Sequence, residues 1–97
     1  MICNSKLIMV KARHAVFDTS TFCDSMMLHS DFSGSSFKDA DLSKNIIKNV
    51  LFANCDFRGA NLSCKGFETC VLTGAIFDER TVWHEEFDAI EYGAIKV

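Results

Sequence analysis

Residues 35–79 read, in fives, SSFKD ADLSK NIIKN VLFAN CDFRG ANLSC KGFET CVLTG AIFDE. The third residue of each group is large and apolar: Phe37, Leu42, Ile47, Phe52, Phe57, Leu62, Phe67, Leu72 and Phe77. The spacing runs outward to Phe17, Phe22, Met27 and Phe32 on one side and to Val82 and Phe87 on the other. Fifteen successive positions obey it, and all nine phenylalanines of the chain lie on them. With 48% hydrophobic residues in the chain, chance gives such a run about once in 60,000.

Neither regular element buries this set. On an α-helix five residues advance about 500°, so successive members drift about 140° around the axis. On a flat strand an odd period sends them to alternate faces. A chain that bends every five residues turns all of them inward. The residues two before each centre fit that geometry, since Ala15, Ser20, Ser25, Ser30, Ser35, Ala40, Cys55, Ala60, Cys70 and Ala75 are all small, as a crowded interior requires. Positions beside the centre carry most of the charge, among them Asp18, Asp31, Lys38, Asp41, Lys48, Asp56, Arg58 and Glu68, and read as the outside. Asn45 and Lys65 break the small-residue rule. A buried unpaired lysine is costly, so either this side bulges or Lys65 turns its stem outward.

The groups SSFKD, ADLSK, CDFRG and ANLSC, with GAIFD at 74–78, resemble the pentapeptide-repeat family and its A(D/N)LXX consensus over residues 15–79. The resemblance implies an all-β solenoid, a right-handed quadrilateral β-helix with about 20 residues per coil and coils stacked about 4.8 Å apart. The expectation is a single domain over 1–97 of about 3.5–4 coils, roughly 15–20 Å long. Residues 1–14 (with Ile2, Leu7 and Val10) form an N-terminal cap or irregular first coil, 15–79 the repeats, and 80–97 a C-terminal cap. In that cap Trp83, Phe87, Ile90 and Ala94 follow helical spacing, with Thr81 able to cap a short helix. A 20-residue coil stacks Phe17, Phe37, Phe57 and Phe77 as one core ladder. It also aligns Gly34, Asn54 and Gly74 at a corner that needs positive φ. Opposite charges then meet between coils, Asp18 with Lys38, Asp24 with Lys44, Lys48 with Glu68 and Arg58 with Asp78, each exposed pair worth at most about 1 kcal/mol.

The formal net charge is −3, which indicates no nucleic-acid binder. The longest apolar run, Leu7–Val10, is too short for a membrane span or a signal peptide. Cysteines 3, 23, 55, 64 and 70 are odd in number and contain no C-x-x-C pair, so reduced thiols in a cytoplasmic protein are expected. His14, His29 and His84 are scattered, which gives no metal site. No cofactor motif and no nucleophile–base set stands out, so the chain reads as no enzyme.

The leading function class is a non-catalytic structural or protein-interaction scaffold whose protein partner the sequence does not name. Met26, Leu28, Ile46, Leu51 and Val71 stand outside where polar residues are expected and form the candidate interaction surface. Trp83, Phe87 and Ile90 are candidates for capping or for a homodimer through the C-terminal segment, with coil stacking as another route. The alternative comes from the resemblance alone: a DNA-mimicking binder of topoisomerases such as gyrase, of the quinolone-resistance type. Mimicry needs a long acidic rod. Residues 1–77 carry a net +1 and residues 78–97 a net −4, so the near-neutral coil body and the short rod both count against it.

Overall fold

The computed structural model describes residues 1–97, and they wind as a β-solenoid of about five turns. Eight short strands follow in chain order: β1 (Ile2–Cys3), β2 (Lys6–Ile8), β3 (Thr21–Leu28), β4 (Asp41–Lys48), β5 (Asn61–Leu62), β6 (Ile76–Phe77), β7 (Val82–Trp83) and β8 (Ile95–Lys96). Every pairing is parallel. One side stacks β1, β3, β4, β5 and β7. A second lays β2 on the far half of β3, with Leu7 opposite Met27 and Met27 opposite Ile47. The third runs Lys11, Asp31, Leu51, Val71 and the fourth Val16, Ser36, Asp56, Ile76, where β6 then meets β8. Four sides at a step of 20 residues make the quadrilateral that the family resemblance implied.

The turns number about five rather than 3.5–4, for a reason at each end. Residues 1–14 form a regular coil, with Ile2 opposite Phe22 and Lys11 opposite Asp31. At the other end the chain keeps winding where a helix was expected. Trp83 lies in β7 opposite Leu62, and the only helical turn there is a 3-10 segment, Ala89–Tyr92. Two left-handed residues, Glu86 and Gly93, break any longer helix. Asp88, not Thr81, caps the 3-10 turn by accepting from Ile90 N. The Thr81 hydroxyl instead donates to Phe57 O one coil back.

The corners explain the period. The residue two after most centres takes positive φ, at Asn4, Met9, His14, Thr19, Asp24, His29, Gly34, Asp39, Asn49, Asn54, Gly59 and Gly74. A backbone turn then closes from the third residue back to the centre, as from Ser35 N to Phe32 O and Ala40 N to Phe37 O. Inside, Phe17, Phe37 and Phe57 stack at 5.0 and 5.5 Å. Phe32 stacks on Phe52 at 6.0 Å, and neighbouring sides meet edge to face. The small-residue columns do more than leave room. Ser30 Oγ accepts from Val10 N and donates to Leu7 O, and Ser35 Oγ does the same with Ala15 N and Ala12 O. Asn45 fits this scheme, accepting from Ser25 N and donating to Phe22 O while almost wholly buried. These serines satisfy corner groups that would otherwise be buried without partners.

None of the four expected charge pairs between coils forms a salt bridge. The ion pairs present are Arg13–Asp31, Arg58–Asp56, and Arg80 with Asp39 and Asp78. Asp18 takes the backbone N–H of Lys38 and the Ser36 hydroxyl rather than the Lys38 ammonium, and Asp78 takes Gly59 N. A fixed corner N–H gains a carboxylate partner at little entropy cost, whereas a solvated lysine gains little from pairing.

The same logic lowers the pKa of Asp31 and of Asp41. The hydroxyls of Ser33 and Ser43, and then their backbone N–H groups, hold both carboxyls below the ordinary 3.8. A carboxylate held below its unfolded value contributes stability present above that value, and lost as pH falls through the folded one. Acid titration of unfolding should therefore show stability dropping below about pH 4, and Asp31→Asn with Asp41→Asn should flatten that drop. An unchanged acid limb in the double variant would refute the assignment.

Candidate interaction surface

The structure splits the expected apolar surface into two pairs. Met26 lies opposite Ile46 on the second side, and Leu51 opposite Val71 on the third. Ile46 is 58% exposed, Leu51 41% and Val71 42%, while Met26 and Leu28 are half-buried. Leu28 pairs with Lys48, so a charged side chain and the corner at Asn49 stand between the two pairs.

The first pair borders one groove and Leu51 of the second borders another. The larger, about 750 Å³, is lined by Met26 and Ile46 together with Lys44, Asn45, Lys65 and His84. It opens where the coil is distorted. The β3–β4 register slips between Cys23 and Met26, with Cys23 opposite Lys44. One coil on, Cys64 is buried and Lys65 is exposed. The side therefore bulges, and Lys65 keeps its ammonium in water. Gly66, at φ 118, turns the chain back into a 3-10 segment, Phe67–Thr69, that returns Phe67 to the core. The smaller groove, about 510 Å³, runs past Met9, Lys11, His29, Asp31 and Leu51.

Trp83 and Phe87 roof the aromatic column. Trp83 packs on Phe57, Phe67 and Phe77 at 6.1, 5.5 and 5.5 Å, and Phe87 stacks on Tyr92 at 4.9 Å. The indole N–H is buried without an acceptor, so ring packing alone holds Trp83. Ile90 is exposed and takes no part in this roof. An extra residue in the preceding corner makes Trp83, rather than Val82, the inward side chain; Val82 is 49% exposed. The stacked ladder runs through Phe17, Phe37 and Phe57, and Phe77, its expected fourth rung, is joined to Phe57 only through Trp83, which packs edge to face on both.

Cys3 and Cys23 lie opposite each other in β1 and β3, with Cα atoms 4.6 Å apart, and are joined as a disulfide. The expectation of five reduced thiols is corrected for these two. Their 20-residue separation is the coil length itself, a signal that the cysteine count passed over. Cys55, Cys64 and Cys70 are free and buried. Burial pushes Cys55 and Cys64 up to about 12 and raises Cys70, so these side chains are packed thiols and not nucleophiles.

A four-sided parallel solenoid built from five-residue sides, with left-handed corners and an aromatic column inside, defines a class of repeat protein. The family model described as pentapeptide repeats (8 copies) matches residues 51–79, so the repeats of this chain are those of the pentapeptide-repeat family. The chain is 33% identical over 57 residues to pentapeptide repeat protein MfpA of Mycobacterium tuberculosis, covering 59% of this chain and 31% of the relative. The MfpA of Mycolicibacterium smegmatis is 35% identical over 54 residues, covering 56% of this chain and 28% of the relative. A solved pentapeptide repeat protein from Nostoc PCC 7120 aligns with 21% identity over 90% of this chain and 80% of that one, at a TM-score of 0.38. The chain thus spans about three-tenths of the length of these curated relatives.

Proposed function

We propose that the chain is a non-catalytic scaffold that binds a protein partner through the larger groove. The observation that supports this most is the bulge at Cys64–Gly66, which interrupts an otherwise flat side and leaves Ile46 exposed beside Met26, with Lys44, Lys65 and His84 around them. Apolar side chains ringed by polar ones are the usual make-up of a protein contact. Packed thiols in the interior and a column filled with rings leave no enclosed reaction site. Partner capture from the native cell should fall at least about tenfold with Ile46→Asp, whereas Leu51→Asp tests the second groove. Unchanged capture with both variants would remove these surfaces from the reading.

The second reading, a DNA-mimicking topoisomerase (gyrase) binder, follows from the family resemblance. What favours it here is the acidic end, a net −4 over residues 78–97. The coil body is near neutral and weighs against it; length does not, because the chain spans under a third of its MfpA relatives. A DNA supercoiling assay with no inhibition at high protein concentration would close this reading.

No helix is long and apolar enough to cross a membrane. The cytoplasmic setting belongs to the proposal and requires that the Cys3–Cys23 pair, joined in the structure, be reduced in the cell. Alkylation after rapid denaturation of the native protein should then count all five cysteines. A count that leaves out Cys3 and Cys23 would overturn that location.

A further inference from the structure

We propose that the larger groove takes a short extended segment of its protein partner as an added strand on β4, and that this segment is acidic with apolar side chains on one face. The inference rests on the scaffold reading above and names how the partner is held.

Pairing between coils lapses in the middle of the solenoid. β4 meets the next coil only at Asp41–Asn61, and pairing returns at Leu51–Val71. Between them residues 63–66 give β4 no backbone hydrogen bond. Gly66 uses its N–H on Glu68 and its carbonyl on Thr69, within its own loop. One coil earlier the same place is filled, because the Asn45 side chain accepts from Ser25 N and donates to Phe22 O. Twenty residues on, that role falls to Lys65, which is exposed while Cys64 is buried. Asn45 N and Leu42 O thus lose the side chain that the repeat assigns them. Unpaired backbone groups along a strand edge are a template for another strand. The open stretch runs from Ser43 to Ile46 and stops where Gly66 lies against Ile47 O.

Backbone bonds set the mode of such an addition, and side chains along the edge set its selectivity. Lys44, Lys65 and His84 line the groove against a single acid, Asp24. All three arginines of the chain are ion-paired, whereas Lys44 and Lys65 join no salt bridge. Their charge is therefore free for a carboxylate from outside. Met26 and Ile46 give the groove an apolar floor. That floor gains nothing from a phosphate lattice, so a polypeptide fits it better than a nucleic acid. Lysines at a strand edge also serve to repel unwanted strands. The two roles predict opposite results on charge removal.

Titration of the 97-residue chain with a short end-blocked peptide of alternating glutamate and valine, followed by amide exchange, tests the inference. Binding should slow exchange within Ser43–Ile46 and weaken as salt rises. Methylating the peptide nitrogens that face β4 should lower affinity about tenfold or more, because each loses a strand-pairing N–H. Lys44→Glu with Lys65→Glu should lower it by a similar factor, and so should lysine in place of the peptide's glutamates. Both lysines of the chain are exposed, and circular dichroism of the variant separates lost contact from lost fold. The peptide series needs no variant at all. No binding, equal binding of the methylated peptide, or tighter binding once Lys44 and Lys65 are reversed would each overturn the inference. Preference for a DNA duplex or for phosphatidylserine vesicles, or a dimer of the chain formed in place of the peptide complex, would do the same. The scaffold reading is judged separately, since it stands or falls with partner capture by the Ile46→Asp variant.

Discussion

Phe52→Ala is expected to destabilise the chain by about 4 kcal/mol, because it empties a fully buried ring site in a solenoid that has no second layer to collapse into it. Phe52 stacks on Phe32, meets Phe37 and Phe57 edge to face, and packs against Phe67. It therefore joins three successive coils and three of the four sides. A domain of this size has about 5–15 kcal/mol in total, so the variant sits near the limit of folding. Phe17→Ala removes the same group from the first coil, where the ring is only partly buried, and should cost about half as much. Urea unfolding of both variants checks the difference. Equal losses would mean that stability does not propagate through the stack from neighbour to neighbour.

The five-residue period was legible because it is written in composition. Large residues at the centre, small ones two before it and polar ones beside it are each repeated often enough to exceed chance. The corner at Gly34, Asn54 and Gly74 was legible for the same reason, and all three take positive φ. What escaped was local competition between neighbours. Val82 and Trp83 are both apolar, and only an extra corner residue after Phe77 decides which one turns inward. Cys64 and Lys65 compete in the same manner; the sequence flagged Lys65 as misplaced but did not offer Cys64 as its replacement. The C-terminal helix was overpredicted because steps of four and three also fit a chain that winds on past short turns. Charge pairing between coils failed because it ignored the corner N–H groups, which are fixed in place and take the carboxylates first.

The candidate surface shows the same division. Exposure of Ile46, Leu51 and Val71 could be read from their place beside a centre. Their separation comes from Lys48 and the corner at Asn49, whereas the groove beside Ile46 opens at the bulge where Gly66 turns the chain back.

Gly66→Ala should cost about 3 kcal/mol or more, the largest effect expected of any added methyl group in this chain. Its φ of 118 is unfavourable for any L side chain, and a Cβ there would lie 1.7 Å from Ile47 O, a backbone atom in β4 that has no rotamer to change. Relief requires the loop to lift away from β4. Gly66 O also accepts from Thr69 N and the Thr69 hydroxyl, so lifting it unwinds the 3-10 segment that carries Phe67 inward. Phe67 lies 5.5 Å from Trp83, edge to face, which makes the single tryptophan a reporter of the event. Its fluorescence should shift toward that of a solvated indole, together with a lower unfolding midpoint. Gly34→Ala is the control. A Cβ there meets the His14 ring, an exposed side chain that swings aside, so the cost should be about 1 kcal/mol, near that of the left-handed backbone alone. If both variants lost the same stability and left Trp83 undisturbed, the clash with Ile47 would not govern the bulge. The groove beside Ile46 would then need another origin.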